Sequence, residues 1–188
     1  MRVIGTVGLP GSGKGEAAAV AEELGVPVVT MGDVIRQECR DRGVDPATHH
    51  GEIAQALREE NGPDAIAQRS LPVIEDELET DDTVLVDGIR SGVEVERFEE
   101  AFGDEFALVS IEAPFELRAE RVDERGRDAT GADGETLAER DERERGFGMD
   151  EAMDRADVTI ENTGTLEAFR RQVRALVREG PDALRGDA

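Results

Sequence analysis

Gly8-Leu9-Pro10-Gly11-Ser12-Gly13-Lys14-Gly15 matches the pattern G-x-x-x-x-G-K in full. Residue types in this spacing bind phosphate. Glycines let successive backbone N–H groups turn inward and let an anion approach where a Cβ would stand in the way. A helix starting at the end of the loop adds its positive N-terminal dipole, and Lys14 adds a full mobile charge. Lys14 is the only lysine among 22 basic residues; every other one is arginine. Three further groups have types suited to phosphate chemistry. Thr30-Met31-Gly32-Asp33-Val34-Ile35-Arg36 offers a carboxylate and a guanidinium. Asp87-Gly88-Ile89-Arg90 offers the same pair. Arg118, Arg121, Arg125, Arg127, Arg140, Arg143 and Arg145 crowd one later stretch. Arginine's planar fork binds phosphate oxygens bidentately, and a carboxylate at a strand end places a divalent cation.

Each group has a second reading. Asp33 either serves Mg²⁺ or an acceptor, or caps the helix after it. Asp87-Gly88 is either a metal-orienting acid or an ordinary turn. The late arginines are either clamps on a mobile lid or a solvated helix face of i,i+4 pairs. His49-His50 have no partner cluster and read as a solvated loop pair rather than a metal site.

The elements that must position these groups are legible from periodicity. Apolar runs at 3–7, 26–29, 83–86 and 106–111, and the segment 156–160, read as short strands, the one at 26–29 buried. The first precedes the glycine loop, and an alanine-rich helix over 16–24 follows it. In a parallel sheet Asp33, after the second strand, is placed beside the first loop. Residues 37–62 are polar, punctuated by Gly43, Asp45-Pro46, Gly51 and Gly62, and read as short helices and loops. Pro63 opens a helix with Ala67, Leu71, Ile74 and Leu78 on one stripe, kinked at Pro72. Gly126 and the segment 129–134 break the arginine-rich stretch into two helices. Leu166, Phe169, Val173, Leu176 and Val177 form an amphipathic last helix, stopped at Gly180-Pro181. Strands alternating with helices make a three-layer α/β domain over 1–179, with helices of 37–79 beside the acceptor, a lid over 118–146, and a disordered tail over 180–188.

Composition bounds the rest. The chain has 188 residues, a net charge of −23, 36% charged and 3% aromatic residues. Such a field repels duplex DNA and anionic membranes, so neither is an expected partner. The single cysteine, Cys39, excludes an intrachain disulfide and reads as a small buried hydrophobe. Met1-Arg2 runs straight into the first strand and no apolar run spans a membrane, so a cytoplasmic protein is expected.

Nearly the whole chain resembles the adenylate-kinase-like nucleotide kinases of the P-loop fold. Gly8 to Gly15, including Gly after Lys14, is similar to their phosphate loop. The Thr30–Arg36 segment resembles their threonine–glycine–aspartate–x–x–arginine motif with Met31 inserted, and Asp87-Gly88-Ile89-Arg90 their aspartate–glycine turn, one residue shorter. Arg121 and Arg125 resemble the arginine pair that opens their lid, and Arg127 and Arg140 lid arginines. Ala156 to Gly164 is similar to the end of dephospho-coenzyme A kinases, where Asn162-Thr163-Gly164 would contact the ATP adenine. The combination looks most like an uncharacterised archaeal family related to adenylate kinases. Glu16 departs from the pattern, standing where a threonine is usual, and would repel the nucleotide or hold Mg²⁺.

The resemblance implies a five-stranded parallel sheet with helices on both faces and a helical lid. It implies ATP and Mg²⁺ as cofactors, with Gly8, Leu9, Pro10, Gly11, Ser12, Gly13, Lys14, Gly15 and Glu16 at the nucleotide and Asp33 and Asp87 at the metal. Asp33, Arg36 and Arg90 would hold a small nucleotide acceptor. Lys14, Asp33, Arg121, Arg125, Arg127 and Arg140 would carry the transfer. The alternatives are a dephospho-coenzyme A acceptor and a nucleotide-dependent switch or ATPase with a protein partner, kept open by Glu16 and the shortened turn. One prediction needs only the composition. An acidic, almost lysine-free surface resembles proteins of salt-accumulating cytoplasms, and at about 1 M salt the Debye length falls to about 3 Å. The melting temperature is expected to rise steadily as KCl is raised towards that concentration; a scan showing no fall on removing KCl would sink the idea.

Overall fold

In the computed structural model, which describes residues 1–126 and 136–184, the chain winds around one parallel sheet. Its strands are β1 (Arg2–Val7), β2 (Val28–Thr30), β3 (Thr83–Asp87), β4 (Phe106–Glu112) and β5 (Val158–Glu161). They lie in the order β2-β3-β1-β4-β5. The central strand β1 is thus flanked by β3 and β4, with Thr6 level with Asp87 on one side and Val109 on the other. Alternate residues of a strand point to opposite faces. Val3 and Val7, with Val84 and Val86, enter one core; Ile4 and Leu85 enter the other. Helices cover both faces, giving the three-layer α/β fold expected from the sequence.

One face carries α1 (Lys14–Glu23) and α9 (Leu166–Glu179), which pack Ala17, Val20 and Ala21 against Phe169, Val173 and Val177. The other carries α2 (Met31–Asp41), α3 (Pro46–Asn61), α4 (Ala65–Leu78), α5 (Gly92–Phe102) and the short α8 (Met149–Asp154). Phe98 of α5 is fully buried and stacks on Phe106 of β4, ring centroids 5.7 Å apart. Two helices, α6 (Phe115–Gly126) and α7 (Leu137–Gly146), stand at the carboxyl edge of the sheet.

Several local expectations change. Residues 46–61 form one helix rather than short pieces. Asp45 caps it through Ala47 N–H at 2.9 Å and Pro46 opens it. Gly43 and Gly62 do end helices, at positive φ, whereas Gly51 lies inside α3. The helix tolerates it because Ile53, Ala54 and Leu57 bury the face that holds α3 in place. Helix α4 starts at Ala65, after the turn containing Pro63, and runs through exposed Pro72 to Leu78. Residues 181–184, expected to be disordered, form a 3-10 turn (Pro181–Leu184) whose Leu184 packs on the α1–α9 core. Among the described residues no helix is long and apolar enough to cross a membrane.

Phe98→Ala empties the middle of the larger core and removes the stack on Phe106. A loss of about 3–5 kcal/mol is expected in urea unfolding; a change under about 1 kcal/mol would mean the α5–β4 contact does not carry this core.

Candidate functional site

The glycine loop turns out of β1 and into α1 at the carboxyl edge of the sheet. Gly8, Gly11 and Gly13 hold φ of 146°, 80° and 122°, conformations that cost any other residue dearly. A Cβ on Gly8 would meet the Ile111 carbonyl oxygen at 2.3 Å, and one on Gly13 the Asn162 Nδ2 at 2.6 Å, so close approach also demands glycine there. Lys14 folds back across the loop, its ammonium donating to the carbonyls of Gly8 and Leu9. Burial pushes Lys14 below the usual lysine value; the carboxylates of Asp87 and Glu144 oppose this, and the Arg90 and Arg118 charges add to it. The Ser12 hydroxyl is buried and has no hydrogen-bond partner among the described residues. A buried cation and an orphaned donor in one glycine cradle fit a polyphosphate, whose oxygens satisfy both.

The loop is tied down from distant parts of the chain. Asn162, after β5, donates Nδ2 to Ser12 O at 2.7 Å. Arg121 of α6 donates to Asn162 O at 2.9 Å and to Ser12 O at 3.5 Å. Arg118 of α6 is 4% exposed; it donates to Pro10 O at 3.0 Å and to Ala113 O at 3.1 Å. It also forks onto both carboxylate oxygens of Asp141 of α7, at 2.8 and 2.7 Å. Arg118 therefore joins the phosphate loop to both arginine-bearing helices.

Two strand-end carboxylates flank the loop. Asp87 ends β3 and accepts from the Thr6 hydroxyl at 3.1 Å. Glu112 ends β4 and accepts from the Ser110 hydroxyl at 2.8 Å. Glu112 was not singled out by the sequence reading, although an acid ending an apolar strand is the signal that marked Asp87. It lines a cavity of about 320 Å³ with Leu9, Ser12 and Arg118. Thr163 and Gly164 line another, of about 460 Å³, against Phe169 and Gln172 of α9.

On the β2 side, β3 lies between β2 and β1 in the sheet. Asp33 is the third residue of α2, whose N-cap is Thr30, so it does not cap the helix. Its side chain is 65% exposed and accepts from Arg36 Nε at 2.8 Å. The turn after β3 packs on the start of α2: a Cβ on Gly88 would stand 3.3 Å from Met31 Cβ. Arg90 N–H donates to Glu94 Oε2 at 2.8 Å, and the Arg90 guanidinium lies 3.3 Å from Glu144 Oε1 of α7. Burial pushes the Glu94 carboxyl above the usual range, opposed by the Arg90 N–H and the Arg58 charge. His50, expected in a solvated loop, is half-buried in α3 against Gly32.

Other expected groups fall elsewhere. Glu16 turns its carboxylate to Arg170 of α9, which also holds Glu23 two turns along α1, so the charge runs along the helix flank and is neutralised there. Gly15 has open space around it. Arg140 is exposed on α7. Arg125 lies in α6, and Arg127 lies outside the described residues. Among the described residues no three His, Cys, Asp or Glu side chains converge as a metal cage.

The AAA domain family matches residues 7–138. A UPF0200 protein of Halobacterium salinarum is 65% identical over 177 residues, spanning 94% of this chain and 93% of the relative. A UPF0200 protein of Methanosarcina barkeri is 45% identical over 174 residues, 92% of each. Two solved structures share the architecture. TT1252 from Thermus thermophilus has a TM-score of 0.64 at 22% identity, covering 93% of this chain and 95% of that one. Shikimate kinase from Acinetobacter baumannii, in complex with shikimate, has a TM-score of 0.56 at 20% identity, covering 94% and 93%. At such identities the likeness establishes the fold, a P-loop kinase-like one.

The Arg118–Asp141 pair is a direct test of the tether. Arg118→Met leaves a buried carboxylate unpaired and is expected to cost about 3–5 kcal/mol in chemical denaturation. Arg118→Met with Asp141→Leu should recover part of it, because the Pro10 and Ala113 carbonyls stay unsatisfied. A single variant as stable as the parent would remove Arg118 from this role.

Proposed function

The chain belongs to the UPF0200 family and carries its AAA-domain phosphate loop on a P-loop kinase-like fold; from that premise we propose that it is a Mg²⁺-ATP-dependent phosphotransferase acting on a small phosphorylated acceptor, a nucleotide in the first instance. The observation that carries the proposal is the loop itself: a buried Lys14 ammonium and an orphaned Ser12 hydroxyl in a glycine cradle, in a chain that otherwise has no lysine. In a molecule of net charge −23, the Arg90 and Arg118 charges reach Lys14, and Arg121 donates to Ser12 O. A positive cleft in an acidic body selects small phosphorylated ligands over polyanions, because only a small ligand reaches the cleft without facing the surface field.

Bound Mg²⁺-ATP would supply the transferable phosphoryl group together with the metal's charge. The loop amides and Lys14 hold the β- and γ-phosphates. Asp87, fixed by the Thr6 hydroxyl, is placed to orient the metal's water shell from the strand end. Asp33 is held by Arg36 and faces solvent, which suits it to the acceptor rather than to the metal. Arg36 and Arg90 hold the acceptor. Arg121 and Arg125 of α6 and Arg140 of α7, with Arg127, would neutralise charge developing on the transferred group. Phosphoryl transfer of this kind rests on positioning and electrostatics, and closing the cleft keeps water from taking the phosphoryl group.

Purified protein in concentrated KCl, given Mg²⁺-ATP and a panel of nucleoside monophosphates, dephospho-coenzyme A and shikimate, is to be analysed by mass spectrometry. A phosphorylated acceptor that disappears in Lys14→Ala is the expected result. Nucleotide at 100 times its Kd should also stabilise the parent by about 2.7 kcal/mol, and Lys14→Ala should lose that stabilisation. ADP without any phosphorylated acceptor would replace the proposal with an ATPase or switch.

A further inference from the structure

The first turn of α2 has an unusual set of neighbours. A Cβ on Gly32 would stand 3.4 Å from Arg36 Nη1, 3.7 Å from Arg36 Nη2 and 3.7 Å from His50 Nε2. A guanidinium and an imidazole thus close on the same face of one glycine, at ordinary contact distance from where a Cβ would stand. Gly88 lies on the other side: a Cβ there would be 3.6 Å from Met31 N and 3.9 Å from Gly32 N. Two glycines therefore keep side chains away from the N-terminal turn of an 11-residue helix, where the macrodipole favours an anion. Arg36 comes from α2, His50 from α3 and Arg90 from the turn after β3. His49 is different: its Nδ1 lies 2.7 Å from the Thr48 hydroxyl at the start of its own helix.

We propose that His50 is a specificity-determining residue of the acceptor subsite, binding a phosphomonoester jointly with Arg36 beside the α2 turn at Gly32. The proposal rests on the acceptor reading above and adds to it the group that tells a phosphomonoester from a neutral or singly charged ligand. Arg36 is a permanent cation. His50 becomes one only when a second negative charge arrives. In the free protein, burial pushes the His50 imidazole below the usual histidine value; its hydrogen bond with the Gly32 backbone opposes this, and the Arg36 and Arg90 charges add to the fall. The charged groups facing the ring are those two guanidiniums, with Asp33 engaged by Arg36.

The sign follows. With its folded value lowered, His50 is neutral at pH 7. Protonating it in the free protein costs stability as the pH falls through the gap between the unfolded and folded values, and the cost is complete below the folded value. A phosphate dianion between Arg36 and His50 reverses the balance, so acceptor binding takes up a proton. Phosphate monoesters gain a proton near pH 6 themselves, so the comparison must be made against a variant lacking the imidazole.

The chain has two histidines, so the experiment is simple. In His49→Gln, His50 is the one imidazole left, and its titration is followed by NMR with and without AMP or inorganic phosphate. The midpoint is expected to rise by about one pH unit on adding either probe, and to stay put with adenosine. In Arg36→Gln the rise should be lost. In parallel, His50→Gln should raise the acceptor KM about tenfold near pH 6.5, flatten its pH dependence, and leave the KM for ATP unchanged. An unmoved midpoint with both phosphate probes overturns the proposal, even if Lys14-dependent phosphorylation is seen. A shifted midpoint without any phosphorylated product supports the subsite and overturns only the kinase reading.

Discussion

A phosphate loop works only if its N–H groups face inward, and that obliges its carbonyls to face out. Each outward carbonyl must find a donor, since a buried unpaired one costs about 1–3 kcal/mol. In this protein the donors come from far along the chain. Arg118 satisfies Pro10, and Asn162 with Arg121 satisfies Ser12, while Lys14 covers Gly8 and Leu9 from inside. Those three outside donors sit on α6 and on the turn after β5. The placing of α6 and the seating of Asn162 under Gly13 serve this accounting, and the rest of the fold thereby holds the loop's outer surface.

The same requirement sorts the arginines. Arg118 is a strut, consumed by two carbonyls and a buried carboxylate. Arg42, Arg97, Arg155 and Arg170 each grip two acidic side chains at the surface. Exposed pairs of this kind contribute little each, but in a chain of net charge −23 they place scarce cations where carboxylates are densest. Arg36 pairs with Asp33, Arg90 with Glu144 and Arg121 with Asn162, in the segments that follow β2, β3 and β4.

The fold was written in the sequence to a large degree. The strands β1, β3 and β4 read as short apolar runs because both faces of the sheet are covered there, whereas the edge strand β5 buries only Ile160. The loop read as a phosphate cradle because its function demands glycine at particular φ values, and glycine is visible in a sequence. Element ends were less legible. Gly51 looked like punctuation, yet lies within α3, because packing by Ile53, Ala54 and Leu57 outweighs a propensity cost of about 1 kcal/mol. The Pro181–Leu184 turn was unreadable because its anchor, the α1–α9 core, is distant in sequence.

By itself the sequence determined the layer architecture, the phosphate loop and the acidic character of the surface, since periodicity, glycine spacing and charge are local properties of the chain. Tertiary structure alone decided what each side chain of the cleft touches. It turned Glu16 from a suspected phosphate neighbour into a partner of Arg170. It made Arg118 a strut, paired Asp33 with Arg36, and brought His50 from a polar stretch to the face of Gly32. The reason is geometric: an arginine, a histidine or a carboxylate carries the same chemistry wherever it stands in the chain, and its role is set by partners that only the three-dimensional path of the backbone delivers.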